Sequence, residues 1–303
     1  MKDMEFHPLP STGDVFKEQT RTMGLALRPL GIGVAIFLVA NGAFVLYRSL
    51  VDPATPAPLP TDALAWMSFV GMGLPLFLGR GSVTPFRPGL PWTLPVGRAR
   101  HALIRVAAAW IWLMVGVGAL LVWYVGVHLM AGSAMREPML YLVAPFSNPR
   151  PAEPGSLPTV LWSFPWWIWL VPFLATTALY CWTSALFLAT RHPGRWLMGT
   201  LLGMFLLALF ANRTNFIHLF DWVDPALMGL LEGRFGFFTL TAGGAVPAAW
   251  VDLPAGGRMP MFVGMPTFGR WLVASGLWIS MGIGLMCLAA LRHRDGSGAW
   301  SGR

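Results

Sequence analysis

The chain has 303 residues, of which 55% are hydrophobic and only 11% charged, with a mean hydropathy of +0.60 and a formal charge of +8. A soluble domain carries roughly a quarter charged residues, so this composition excludes that class and identifies an integral membrane protein. The excess of base does not indicate nucleic acid, because the arginines gather in particular connections, where they report topology and contact with anionic lipid heads.

In chain order, uncharged runs cover 29–47, 63–79, 106–135, 154–190, 196–212 and 271–291. Each is near or above the roughly 17–25 residues that a helix needs to cross the hydrocarbon. The expected architecture is an all-α integral membrane protein with six transmembrane helices at about 29–48, 63–79, 104–130, 160–189, 196–212 and 271–291. A cytoplasmic segment, 1–28, precedes this membrane domain of 29–292, and a cytoplasmic tail, 293–303, follows it. Trp162, Trp166, Trp167 and Trp169, early in the fourth run, belong where indoles concentrate, at the membrane interface.

The first run is read as a retained helix rather than a cleaved secretory signal. Its leader is 28 residues long and contains Asp3, Glu5, Asp14 and Glu18, and the run exceeds the usual signal core. Within the leader, Ser11 with Asp14 three residues on is a capping start. Phe16, Met23 and Leu27 follow at helical spacing, with Lys17, Glu18 and Arg21 between them. The segment reads either as an amphipathic helix on the inner membrane surface or as a solvated terminus.

Orientation follows from charge. With the N-terminus in the cytoplasm, the inner segments hold 14 of the 21 basic residues, and the outer segments hold eight of the 13 acids. Both signs support an N-in, C-in arrangement. The outer 131–160 connection carries Pro138, Pro145, Pro149, Pro151, Pro154 and Pro158 and is expected to be irregular. Short helices are expected between spans five and six, in 213–270, where Asp224 and Pro225 make a helix start.

The most informative inner stretch is FRPGLPWTLPVGRARHALIRV, 86–106. Five arginines and no acid lie between Arg80 and Arg105, around Pro85, Pro88, Pro91 and Pro95. The positive-inside rule explains the arginines but not their order. The first half is too rich in proline and glycine for a long helix, whereas LPVGRARHALIRVAAAW resumes a helical pattern that runs unbroken into the third span. Arg98 and Arg105, seven apart, share a helix face, with Arg100 and His101 to the side. The result is a basic elbow at the cytoplasmic surface.

At this elbow the sequence resembles the ABC-2 type permeases of ATP-binding cassette transporters. LPVGRARHALIRVAAAW is similar to that family's Leu-Pro-Val-Ser-Arg segment between spans two and three, with Gly97 where serine is common. The resemblance implies a coupling helix that seats in a nucleotide-binding subunit and transmits its ATP-driven closure. Leu94, Pro95, Val96, Gly97 and Arg98 match the motif, and Arg100, His101 and Arg105 adjoin it. It further implies a second permease copy, an exporter activity in a bacterial inner membrane, and ATP and magnesium on the partner subunit. This chain has no phosphate-binding loop of its own, since its only lysines are Lys2 and Lys17.

Other classes fit less well. An ion-coupled carrier usually needs ionisable groups at membrane depth, yet no Asp, Glu, Lys or Arg falls inside the six runs. An intramembrane enzyme needs a nucleophile with a base or a metal cluster, and no such pattern surrounds the six histidines. His128 reads as an interfacial histidine, Asn41 as a helix-packing residue, and Cys181 and Cys287 as packing residues within spans. A non-transporting subunit of a larger membrane complex remains the alternative, because the same elbow suits that partner too. No residue is assigned to substrate, catalysis or metal.

Overall fold

The computed structural model describes residues 11–51, 62–70, 73, 98–133, 136–138, 161–190, 229–231, 233–242, 246–252, 258–263 and 265–295, with single positions between 195 and 203. The described residues are predominantly helical, and four helices among them are long and apolar enough to cross a membrane.

Helix α1 runs from Thr12 to Val51, 40 residues without interruption. Ser11 caps it: the Asp14 N–H donates to Ser11 Oγ at 3.2 Å, while the Ser11 N–H donates to Asp14 Oδ2 at 3.1 Å. Two otherwise unpaired N–H groups are thereby satisfied. The amphipathic segment and the first charge-free run are thus one helix. Pro29 lies inside it, and the helix continues beyond. At about 1.5 Å per residue α1 is about 60 Å long, twice the hydrocarbon thickness.

Helix α2 spans Asp62–Met67, and α3 spans Arg98–Met130. A 3-10 turn at Trp166–Leu170 leads into α4, Val171–Ala189, whose Pro172 sits in the first turn where no N–H is required. After the four-residue α5, Phe237–Leu240, helix α6 covers Phe268–Asp295. The remainder of the expected second and fifth spans, 63–79 and 196–212, lies outside the described residues apart from 63–70, 73 and a few positions from 196 to 203.

The all-α expectation requires correction. Strands β1, Arg136–Pro138, and β2, Leu161–Ser163, pair antiparallel with Glu137 opposite Trp162. Strands β3, Val246–Asp252, and β4, Arg258–Val263, form a second antiparallel pair, with Trp250 opposite Pro260 and an irregularity between Pro247 and Ala249. Residues 136–138 and 161–163 are therefore brought side by side, and 213–270 holds a strand pair as well as a short helix. The reason is visible in residue type: VPAAWVD and RMPMFV carry valine, tryptophan and phenylalanine, and the five residues LPAGG between them favour a turn.

Contacts fix the helix directions. Thr12, Gln19 and Gly24 of α1 meet Arg100, Arg105 and Trp112 of α3, and Gly42 meets Val127, so the two helices run parallel. Tyr180 and Thr177 of α4 meet Val106 and Trp110 of α3, and Phe173 meets Gly118, so α3 and α4 are antiparallel. Trp167 stacks on Trp271 at 4.9 Å, Cys181 lies against Gly282, and Leu188 shares a cluster with Ala289 and Ala290. The turn-α4 unit and α6 are therefore parallel. Leu64 of α2 packs with Trp167, and Ser68 accepts from Thr176 Oγ1 at 3.4 Å, so α2 advances in the same sense as α4.

Among the described residues, apolar clusters hold these elements together. The largest joins Met23 of α1, Val106 to Val117 of α3, Tyr180 and Leu188 of α4, and Ala289 of α6. The second joins Leu64, Trp167, Ile168 and Trp271 near the opposite end. Helix α4 is the centre, with buried residues on every side, whereas α1 presents Ile32, Ile36, Phe37 and Val39 outward. In lipid, where apolar exposure carries no penalty, that outer surface is the solvated one.

Candidate functional site

The arginine-rich end of the bundle is built where α1 and α3 begin together. Helix α3 starts at Arg98, so the elbow's basic residues lie on the first two turns of a single 33-residue helix that is long and apolar enough to cross a membrane. Leu94, Pro95, Val96 and Gly97 lie outside the described residues. Arg98 and His101 fall on the first turn of α3, and their side chains are likewise outside the described set.

Arg100 and Arg105 turn toward α1. Arg100 Nη2 donates to Thr12 Oγ1, beside the capped end of α1. Arg105 Nε donates to Gln19 Oε1 at 3.0 Å, from a half-buried position. Two turns further, Trp112 Nε1 donates to the Thr20 carbonyl at 2.8 Å, and its ring lies over Gly24. The contact needs glycine: a Cβ on Gly24 would stand 2.5 Å from Trp112 Cζ2. Four contacts thus clamp the first 13 residues of α1 to the first 15 of α3.

The sequence singled out the arginines but not their acceptors. Thr12, Gln19 and Thr20 are unremarkable polar residues on a separate segment, and nothing in their spacing reveals a partner about 86 positions away. The one readable hint was the Ser11–Asp14 cap, which fixes where α1 begins.

Electrostatically this end is open. Asp14, fully exposed, has its carboxyl held below the ordinary carboxylate range, first by the Ser11 hydroxyl and then by the Ser11 N–H. Arg100 remains exposed beside it, as do Lys17 and Glu18.

Below the clamp, several polar groups of the core bond to backbone carbonyls of their own or a neighbouring helix. Tyr180 donates to the Val106 carbonyl at 2.8 Å, tying α4 to α3. Thr177 and Thr183 donate to the carbonyls of Phe173 and Leu179, four residues earlier. Ser275 Oγ is buried with no partner among the described residues. The His128 ring meets the Tyr124 ring at a tilt of 57°, centroids 4.6 Å apart, with Nδ1 3.4 Å from Ser133 Oγ just beyond the end of α3. Asn41 is half-buried beside Gly42, at the α1–α3 seam. Among the described residues no group of three His, Cys, Asp or Glu is placed to hold a metal ion.

At the far end, indoles and one guanidinium close the caps of α5. Trp271 Nε1 donates to the Leu240 carbonyl at 3.1 Å, Trp278 Nε1 to the Phe235 carbonyl at 3.0 Å, and Arg270 Nε to the Arg234 carbonyl at 2.7 Å.

Comparison with known proteins finds no matching family model, no matching curated protein and no matching solved structure.

Proposed function

We propose that this chain is the membrane-spanning permease subunit of an ATP-binding cassette transporter, working as an exporter with a separate ATPase docked on the clamped ends of α1 and α3. The observation that carries the reading is continuity. The basic residues of the elbow lie on the first two turns of an unbroken helix long and apolar enough to reach the other membrane face, so in this reading a displacement applied at Arg98 moves the whole span. A lever requires stiffness. The Arg100–Thr12 and Arg105–Gln19 bonds and the Trp112–Gly24 contact supply it by splinting α3 to α1.

Six spans in an N-in, C-in arrangement accompany this reading. Helices α1 and α3 are parallel, so 52–97 joins opposite ends of that pair. The same holds for 190–267, between α4 and α6. Each connection therefore needs an odd number of crossings, and each contains one charge-free run near the required length, 63–79 and 196–212. The direction of α2 supports the first of these. The end that gathers Arg98, Arg100, Arg105 and Arg292 is then cytoplasmic, in a bacterial inner membrane.

The mechanism assigned to these residues is mechanical rather than chemical. ATP and magnesium are held by the partner, a second permease copy completes the transporter, and this chain converts closure of the ATPase into a tilt of α1 and α3. The splint distributes that force over two helices.

The test is affinity purification of the tagged chain in mild detergent, with mass spectrometry and an ATPase assay on the eluate. A stoichiometric soluble partner carrying a phosphate-binding loop, lost when Arg98 and Arg100 become glutamate, is the expected result. Recovery of the chain with other membrane subunits alone would replace transport with a scaffold role.

A further inference from the structure

The charge-free run of α1 and that of α3 are out of register along the membrane normal. Arg105, the last charge on α3 before its apolar run, bonds to Gln19, so Gln19 marks the inner boundary on α1. Gly24 lies against Trp112 and Gly42 against Val127, so α1 keeps the same register along α3. Arg28, four residues past Gly24, therefore lies about nine residues past Gln19, roughly 13 Å along the axis. Arg21 lies two residues past it.

Arg21 and Arg28 thus stand at membrane depth on the outer, exposed face of α1. Seven residues apart, they share a helix face. Leu25, Ile32, Ile36 and Val39, all exposed, fall within the same arc of about 80° at 3.6 residues per turn. Among the described residues no acid pairs with either arginine. Lys17 and Glu18 lie about one turn further toward the cytoplasm and offset one another in charge. An extended arginine covers only about half of the 13 Å to the boundary, so Arg28 cannot reach bulk water by snorkelling alone.

We propose that Arg21 and Arg28 form a binding site for the phosphate of an anionic phospholipid drawn inward from the cytoplasmic leaflet. The two guanidiniums bracket the phosphate with charge-assisted hydrogen bonds, and the acyl chains lie along Ile32, Ile36 and Val39. Charge complementarity selects the occupant: two cations with no acid partner among the described residues, above an apolar track, match a molecule with an anionic head and two apolar tails. The site also explains how two arginines are tolerated at that depth, because the lipid brings its own counter-charge. The proposal stands apart from the transport reading, and either can fail without the other.

The experiment uses the full chain in detergent, titrated with phosphatidylglycerol and phosphatidylcholine and read by native mass spectrometry. The wild type is expected to retain phosphatidylglycerol preferentially, and Arg21→Gln and Arg28→Gln are each expected to reduce that preference about fivefold, the effect of one basic residue near an anionic surface. Arg28→Lys should retain most of it, and so should Arg48→Gln, which removes an exposed base at the other end of α1. An undiminished preference in the double glutamine variant would overturn the site. So would a change in oligomeric mass with lipid preference unmoved, which would assign the arginines to a second copy of the chain. Displacement of the lipid by millimolar inorganic phosphate alone would reassign them to a free anion.

Discussion

Trp112 donates its indole N–H to the Thr20 carbonyl at 2.8 Å while its ring lies across Gly24, and this pairing sets the distance between α1 and α3. A backbone carbonyl inside a helix already accepts from the residue four ahead, so the indole takes its second lone pair. The absent side chain at position 24 lets the ring approach closely enough to do so.

Gly24→Ala should separate the helices. The new methyl would stand 2.5 Å from Trp112 Cζ2. Overpacking of this kind costs about 1–3 kcal/mol. Thermal unfolding in detergent should show the loss, and Trp112→Ala in the same chain should make Gly24→Ala nearly neutral. Additive losses in the double variant would mean that the two residues do not share one contact.

Arg98→Glu with Arg100→Glu should leave insertion and expression intact while separating ATP hydrolysis from transport. Arg105→Ala should act in the same direction through Gln19, because it removes one tie of the splint. Reconstituted vesicles report both rates, and full coupled transport in either variant would count decisively against the lever.

Acid should loosen the start of α1. The folded-state pKa of Asp14 lies below its ordinary value of 3.8 because the Ser11 hydroxyl and N–H bond to the ionised carboxylate. A depressed carboxylate pKa contributes stability that is fully present well above the unfolded value and is lost as the pH falls through the folded one. Amide exchange over 12–18, corrected for intrinsic rate, should therefore rise as the pH drops from 6 to 3, and Asp14→Asn should show the raised exchange at pH 6. Equal protection at both pH values would remove the cap as the determinant.

Single cysteines in a background of Cys181→Ala and Cys287→Ala should sort by membrane face. Thr12→Cys and Arg292→Cys lie at the arginine-rich end, and Ser163→Cys and Phe268→Cys at the other. An impermeant thiol reagent added to intact cells should label the second pair alone. Labelling of the first pair from outside would invert the topology, and labelling of all four would remove the parallel arrangement of α4 and α6.

The membrane class, the charge bias between faces and the unbroken entry of α3 from its basic elbow were legible in composition and in runs of residue type. These depend on local transfer energies and on helical periodicity, which a linear chain displays directly. The β3–β4 hairpin was not read, because its apolar residues fall in short pieces that suit a strand or a helix equally until a partner strand is present. The candidate site was half visible. Arg98, Arg100 and Arg105 stand out by charge, but Thr12, Gln19 and Gly24 acquire meaning only when α1 lies beside α3. The depth of Arg28 is likewise a tertiary quantity. Its position in sequence, at the edge of a charge-free run, suggests a membrane surface, and only the register of Gln19 on Arg105 and of Gly24 on Trp112 supports placing it further in, as proposed. The offset between two helices is fixed by how side chains about 86 residues apart interlock, and no single segment encodes it.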